Sequence, residues 1–278
     1  MGINWYPGHM VKARREIQNN IKLVDITIIL LDARAPFSCR NRDLENLTSR
    51  KKTIMVLNKA DLAPKETVRR YLDILRKEGH AAVSFDSITG KGVQKVVQSI
   101  RAVYQEISAE MVRKGRRVRP ARIMVMGVPN VGKSTFLNCL VGKKMAATGA
   151  RPGVTRGTQW IRVREDMEFM DTPGLMWPRI DEPEQGLKLA LLDIVGENAY
   201  QEEDVALYLV QVLKEKAPDV LQEKFGIEQV NMSSEEVLAA IAVRRGYIVK
   251  GGQPDLFKTC KMLLHDFRRG NLARVGLD

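Results

Sequence analysis

The sequence predicts a doubly wound α/β domain with a mostly parallel sheet, followed by an all-α domain. Three observations lead there. Short apolar runs alternate with amphipathic stretches through residue 177, the pattern of buried parallel strands wrapped by helices. Strand signals stop after Pro178, and long amphipathic segments take over. Charge divides as well: residues 1–177 hold 32 basic and 16 acidic side chains, residues 178–240 hold 5 and 14, and residues 241–278 hold 8 and 3. A chain of 278 residues is about twice the common domain size, so a core domain over 1–177 and a helical domain over 178–278 are expected.

Taken in order, strands are expected at residues 26–31, 53–57, 81–85, 122–126, 160–164 and 167–170. Helical periodicity falls between them at 12–23, 65–78, 93–111 and 133–141. The basic run RKGRRVR at 113–119 reads as an exposed connection into the strand at 122. Further helices are expected at 184–198, 201–217, 233–247 and 255–270; Ser233 and Glu236 form a capping-box pattern, and Gly246 and Gly270 stand where helix ends would fall. No apolar run approaches the roughly 20 residues of a bilayer span and no secretory leader is visible, so a cytoplasmic protein without membrane contact is expected. Cys39, Cys139 and Cys260 form no CxxC, and His9, His80 and His265 complete no zinc spacing. The net charge of +12 favours a polyanionic partner.

The chemistry is concentrated in three short motifs. Residues 127–134, GVPNVGKS, fit G-x-x-x-x-G-K-[ST] between a buried strand and a helix. Backbone N–H groups of such a loop wrap a β-phosphate, Lys133 reaches the β and γ oxygens, and Ser134 can bind Mg²⁺; Asn130, Val131, Gly132 and Thr135 complete the cradle. Asp171 opens D-T-P-G at another strand end, where its carboxylate can hold the magnesium shell and the Gly174 N–H can face the γ-phosphate. Asp32 also ends an apolar run and competes for the metal. The T-P-G that follows Asp171 favours it, leaving Asp32 and Arg34 structural. Asn58, Lys59, Ala60 and Asp61 follow a third strand. The Asp61 carboxylate can accept from guanine N1–H and the exocyclic amine, whereas adenine would leave it unpaired at about 1–3 kcal/mol. Guanine is therefore the expected base.

Together these motifs resemble translation-factor-class GTPases, but in a different order: base motif at 58, phosphate loop at 127, DTPG at 171. The usual order starts with the phosphate loop, so the chain resembles a circularly permuted GTPase. WYPGHM at 5–10, DARAP at 32–36 and the helical tail further resemble the YlqF/RbgA family of bacterial ribosome-assembly GTPases. That resemblance implies GTP hydrolysis to GDP, Mg²⁺, and work on the large ribosomal subunit and its rRNA by a monomer. It makes Thr155 the switch threonine that joins Mg²⁺, with Thr158 as the alternative, and places the second base-contact loop at Asp86 and Ser87 rather than Ser84. Leu175 stands where many GTPases carry a water-orienting glutamine. K⁺ held by Asn130, and His9, read as lying in a Pro-Gly turn, are the candidates to replace it. The RNA surface is expected at Arg244, Arg245, Lys250, Lys258, Lys261, Arg268 and Arg269. A vestigial nucleotide site on an RNA-binding protein is the rival reading, and the retention of Lys133, Ser134, Asp171 and Asp61 argues against it.

Overall fold

The computed structural model describes residues 3–4, 8–142, 160–172, 174–175, 179–180, 182–228 and 231–278. Side chains of residues 3–4, 8–10, 171, 179 and 197 are also outside the description, as are Thr155 and Thr158. The chain divides into one unit spanning Asn4–Arg179 with Asp278 and another built on Ile180–Leu277.

Along the chain come β1 (Ile3–Asn4) and α1 (Gly8–Asn20), then β2 (Ile26–Asp32), α2 (Arg42–Thr48), β3 (Lys52–Asn58), α3 (Lys65–Lys77), β4 (Ala81–Ser84) and α4 (Val93–Arg113). The chain continues through β5 (Ala121–Gly127), α5 (Lys133–Val141), β6 (Trp160–Arg164), β7 (Met167–Asp171) and β8 (Arg179–Ile180). Six strands form one sheet in the order β4-β3-β2-β5-β7-β6, parallel except for the antiparallel β6–β7 pair; β1 and β8 pair separately. Every residue of β2 is buried, as a central parallel strand covered on both faces requires. Five Ile and Leu residues supply most of that surface, with Thr27 and Asp32 buried beside them.

From β2 the chain builds outward through β3 and β4, then crosses to β5 and builds the other way through β7. The reversal point is the β2–β5 junction, and parallel doubly wound sheets place ligands outside the carboxyl ends at such a point. Register brings the motifs to that edge: Asp32 lies opposite Asn58, Leu57 opposite Ser84, Leu30 opposite Gly127, and Val125 opposite Asp171.

Several boundaries differ from the expected ones. His9 belongs to the first turn of α1 rather than to a turn before it, because Gly8 already starts the helix. Helix α2 was not expected; Asn41 caps it by accepting from the N–H groups of Asp43 and Leu44. The basic stretch after α4 opens with a turn at 114–115, then runs without regular structure and is mostly exposed, with Arg119 turned back onto Asp25 at 2.7 Å.

The second unit contains α6 (Pro183–Leu191), α7 (Glu202–Lys216), α8 (Pro218–Phe225), α9 (Ser234–Arg244) and α10 (Leu256–Arg268). The expected 184–198 helix ends at Leu191, followed by a short 3-10 turn at Glu197–Ala199. Helix α8 was also not foreseen, since Pro218 ends α7 and starts a new helix at its first position. Helix α7 is the hub, packing on α6, α8, α9 and α10. Its buried Val205, Leu209 and Leu213 share a face with the 3.6-residue repeat, and Leu238, Ile241, Leu263 and Phe267 close around it. Each such side chain contributes about 2 kcal/mol of burial. The capping box at α9 is fully made: the Ser233 hydroxyl accepts from the Glu236 N–H, and the Glu236 carboxylate accepts from the Ser233 N–H. Among the described residues no helix is long and apolar enough to cross a membrane.

Candidate functional site

The phosphate loop leaves β5 at Gly127 and enters α5 at Lys133. Gly132 caps the helix at φ +98°, and a Cβ there would sit 2.5 Å from Asn58 Nδ2. Only glycine gives both the left-handed backbone and the space. Lys133 is buried, its ammonium donating to the Val128 carbonyl at 3.0 Å and lying 3.4 Å from that of Gly127. It folds over its own loop, where a phosphate would sit. Gly174 approaches from the end of β7; a Cβ on it would come within 2.8 Å of the Pro129 backbone and 3.0 Å of Lys133 Nζ. Val131, Ser134 and Thr135 continue the loop into the first turn of α5, and the N-terminus of a helix favours an anion.

The base loop is bonded directly to the phosphate loop. Asn58 Nδ2 donates to the Val131 carbonyl at 2.9 Å, and the Ser87 hydroxyl donates to Asn58 Oδ1 at 2.7 Å. Lys59 Nζ donates to the Asn130 carbonyl at 2.9 Å. Both residues of that bond are left-handed, Lys59 at φ +57° and Asn130 at φ +55°, conformations that cost non-glycine residues about 1 kcal/mol or more. The Ala60 N–H donates to Phe85 O at 3.1 Å, tying the base loop to the loop after β4. In that second loop Asp86 is consumed by the turn. Its Oδ1 accepts from the N–H groups of Ile88 and Thr89 and its Oδ2 from the Thr89 hydroxyl. Burial would raise its pKa, but these bonds win and lower it. Ser87, by contrast, faces Asn58.

Asp32 is fully buried. Its Oδ1 accepts from Arg34 Nε at 2.9 Å, and its Oδ2 from Arg34 Nη2 at 2.8 Å and Lys59 Nζ at 3.1 Å. Burial alone would raise its pKa; the charges of Arg34 and Lys59 and the Arg34 hydrogen bonds hold it well below the usual carboxylate range. With these partners the carboxylate is engaged by the protein itself.

Leu175 is in the core at 1% exposure, its N–H donating to Gly127 O at 3.2 Å and its carbonyl accepting from Asn41 Nδ2 at 3.1 Å. Asn41 thus caps α2 and fastens the segment after DTPG, a role sequence reasoning missed although an Asn before R-D-L is a helix-start signal. In the helical unit Lys258 Nζ lies 4.3 Å from the Tyr247 ring centroid and Lys261 Nζ 4.2 Å from that of Phe257, which is 67% exposed. Arg268 departs from the surface set. Its guanidinium donates to the carbonyls of Ala190 and Leu191 and to the Tyr200 hydroxyl, satisfying the end of α6.

Comparison with known proteins decides the family. The chain is 37% identical to Ribosome biogenesis GTPase A of Bacillus cereus over 100% of its own length and 94% of that protein's. It belongs to the ribosome biogenesis GTPase A family. Identity to the Priestia megaterium member is also 37%, over 100% and 97%. The family described as 50S ribosome-binding GTPase matches residues 122–242, a segment that starts in the strand feeding the phosphate loop and leaves the base motif upstream. The crystal structure of GNP-bound YlqF from T. maritima superposes with a TM-score of 0.68 at 26% identity, covering 96% of this chain and 97% of that one.

Proposed function

We propose that this protein is a GTP-hydrolysing switch that assists assembly of the large ribosomal subunit in the cytoplasm, acting as a monomer. The supporting observation is the pair of bonds joining base loop to phosphate loop, Asn58 to Val131 O and Lys59 to Asn130 O, within a family of GTPases. A guanine held by Asp61, with Asn58 bracing N7 and the Lys59 stem over the ring, would lie at a fixed distance from phosphates cradled by residues 130–135. Ala60 and the Ser87 end of the second loop would close the base pocket; Asp86 shapes that loop.

The close approach of Gly174 to Lys133 and Pro129 fits a γ-phosphate, and Ser134 at the start of α5 fits a metal ligand. Ser134, Asp171 and Thr155 would hold Mg²⁺, which neutralises phosphate charge when bound. Lys133 stabilises the β and γ oxygens, and the Gly174 N–H senses the γ-phosphate. Leu175, buried and bonded through its backbone, orients no water. That task falls to His9 on α1, with the Asn130 side chain as a ligand for K⁺. The ion would supply positive charge near the leaving oxygens.

The partner is read from the family and from the basic face of the helical unit: Arg244, Arg245, Lys250, Lys258, Lys261 and Arg269, interleaved with the exposed Phe257. Basic groups neutralise phosphates and exposed rings stack on bases. GTP would order the Thr155 region and the loop after DTPG, and hydrolysis would release them. Sedimentation of the protein with purified large subunits tests this. Comigration with a non-hydrolysable GTP analogue and release with GDP is expected; comigration indifferent to nucleotide would favour an RNA-binding protein with a vestigial site.

A further inference from the structure

We infer that Asp32 is a positioning residue for guanine nucleotide binding: it anchors the Lys59 ammonium so that the lysine stem lies where the base docks. The inference rests on the reading of Asn58–Asp61 as the base loop. Lys59 has its backbone turned into the left-handed region at φ +57°, which aims its side chain back across the sheet edge. There the ammonium meets two acceptors, Asp32 Oδ2 at 3.1 Å and Asn130 O at 2.9 Å. A flexible four-carbon stem held at both ends loses its rotamer freedom before the nucleotide arrives rather than on binding, which raises affinity.

The sheet makes the contact possible. Asp32 and Asn58 are partners across β2 and β3, and the Ala33 N–H donates to Asn58 O at 2.8 Å, so Asp32 lies beside the residue preceding Lys59. Arg34 occupies both carboxylate oxygens and is itself buried, which fixes the orientation of the Asp32 carboxylate. Burial would lower the Arg34 pKa, but the charge and hydrogen bonds of Asp32 raise it and keep the guanidinium charged. The buried pair thus reaches the base loop at Lys59, through the Asp32 carboxylate. Without Asp32 the ammonium retains only a neutral carbonyl, and the stem is free to swing.

A thermodynamic cycle on the full chain tests this, read as the dissociation rate of a fluorescent GDP analogue. Asp32→Asn alone leaves a buried guanidinium without its counter-charge, so the cycle uses Asp32→Asn/Arg34→Met, which removes both charges together. Thermal unfolding without nucleotide checks that each protein is folded. The double variant is expected to release GDP about tenfold faster, as is Lys59→Met. Adding Lys59→Met to the double variant is expected to cause no further acceleration. Independent effects that multiply to about a hundredfold would overturn the inference, as would normal GDP release from the folded double variant. Failure of the parent protein to bind the GDP analogue would instead overturn the base-loop reading.

Discussion

At the residue scale, the proposed function gives base choice to one carboxylate, that of Asp61. Asp61→Asn is expected to weaken GTP binding by at least tenfold and to gain xanthosine nucleotide, because the amide can donate to the 2-oxo group that replaces guanine's amine. Competition binding with both nucleotides measures it, and unchanged GTP affinity would remove Asp61 from base reading. Asp32 carries a separate pH signature. Its folded-state pKa lies below the ordinary value of 3.8, so its contribution is complete above that pH and is lost as acid protonates the folded protein. Denaturation midpoints between pH 5 and 2 are expected to fall more steeply in the parent than in Asp32→Asn/Arg34→Met. The places of the runs at 58–61 and 127–134 were legible, because each is a contiguous motif directly after an apolar strand. The Asp32–Lys59 contact was not, since 27 residues separate the partners and only strand register unites them. Arg268 counted as a surface charge for the same reason: nothing local shows that it serves the end of α6.

At the element scale, the crossing of the phosphate loop and the base loop is the tightest junction. Gly132→Ala would put a methyl against Asn58 Nδ2 while forcing alanine to φ +98°. The expected result is a loss of about 1–3 kcal/mol in stability and weakened nucleotide binding, measured by denaturant unfolding and nucleotide titration. Parent-like behaviour would mean that the two loops are not coupled through this contact. Long helices and the sheet strands were readable from periodicity, because burial imposes it over many residues. Short ones were not. Helix α2 has seven residues and α8 eight, too few for a repeating face to emerge, and their starts depend on a single Asn41 cap and a single Pro218. His9 was misplaced because a Pro-Gly pair usually marks a turn, whereas here Gly8 begins α1.

At the scale of the whole molecule, charge is segregated along the chain and strand order brings distant motifs together. The permuted order was legible because motif sequence along the chain is independent of packing, and the sheet restores the motifs to one edge. The basic helical surface makes a prediction about salt. Charge reversal at Arg244 and Arg245 is expected to weaken binding to the large subunit and to flatten its dependence on salt, since fewer counterions are released. An unchanged slope would move the RNA contact to the basic stretch at 113–119. The most direct test of the central claim is steady-state GTP turnover in K⁺ buffer with no subunit, with small subunits and with large subunits. Slow turnover alone, strong stimulation by the large subunit only, and a marked drop when Na⁺ replaces K⁺ are expected. Turnover that is equal in all three mixtures would contradict that claim.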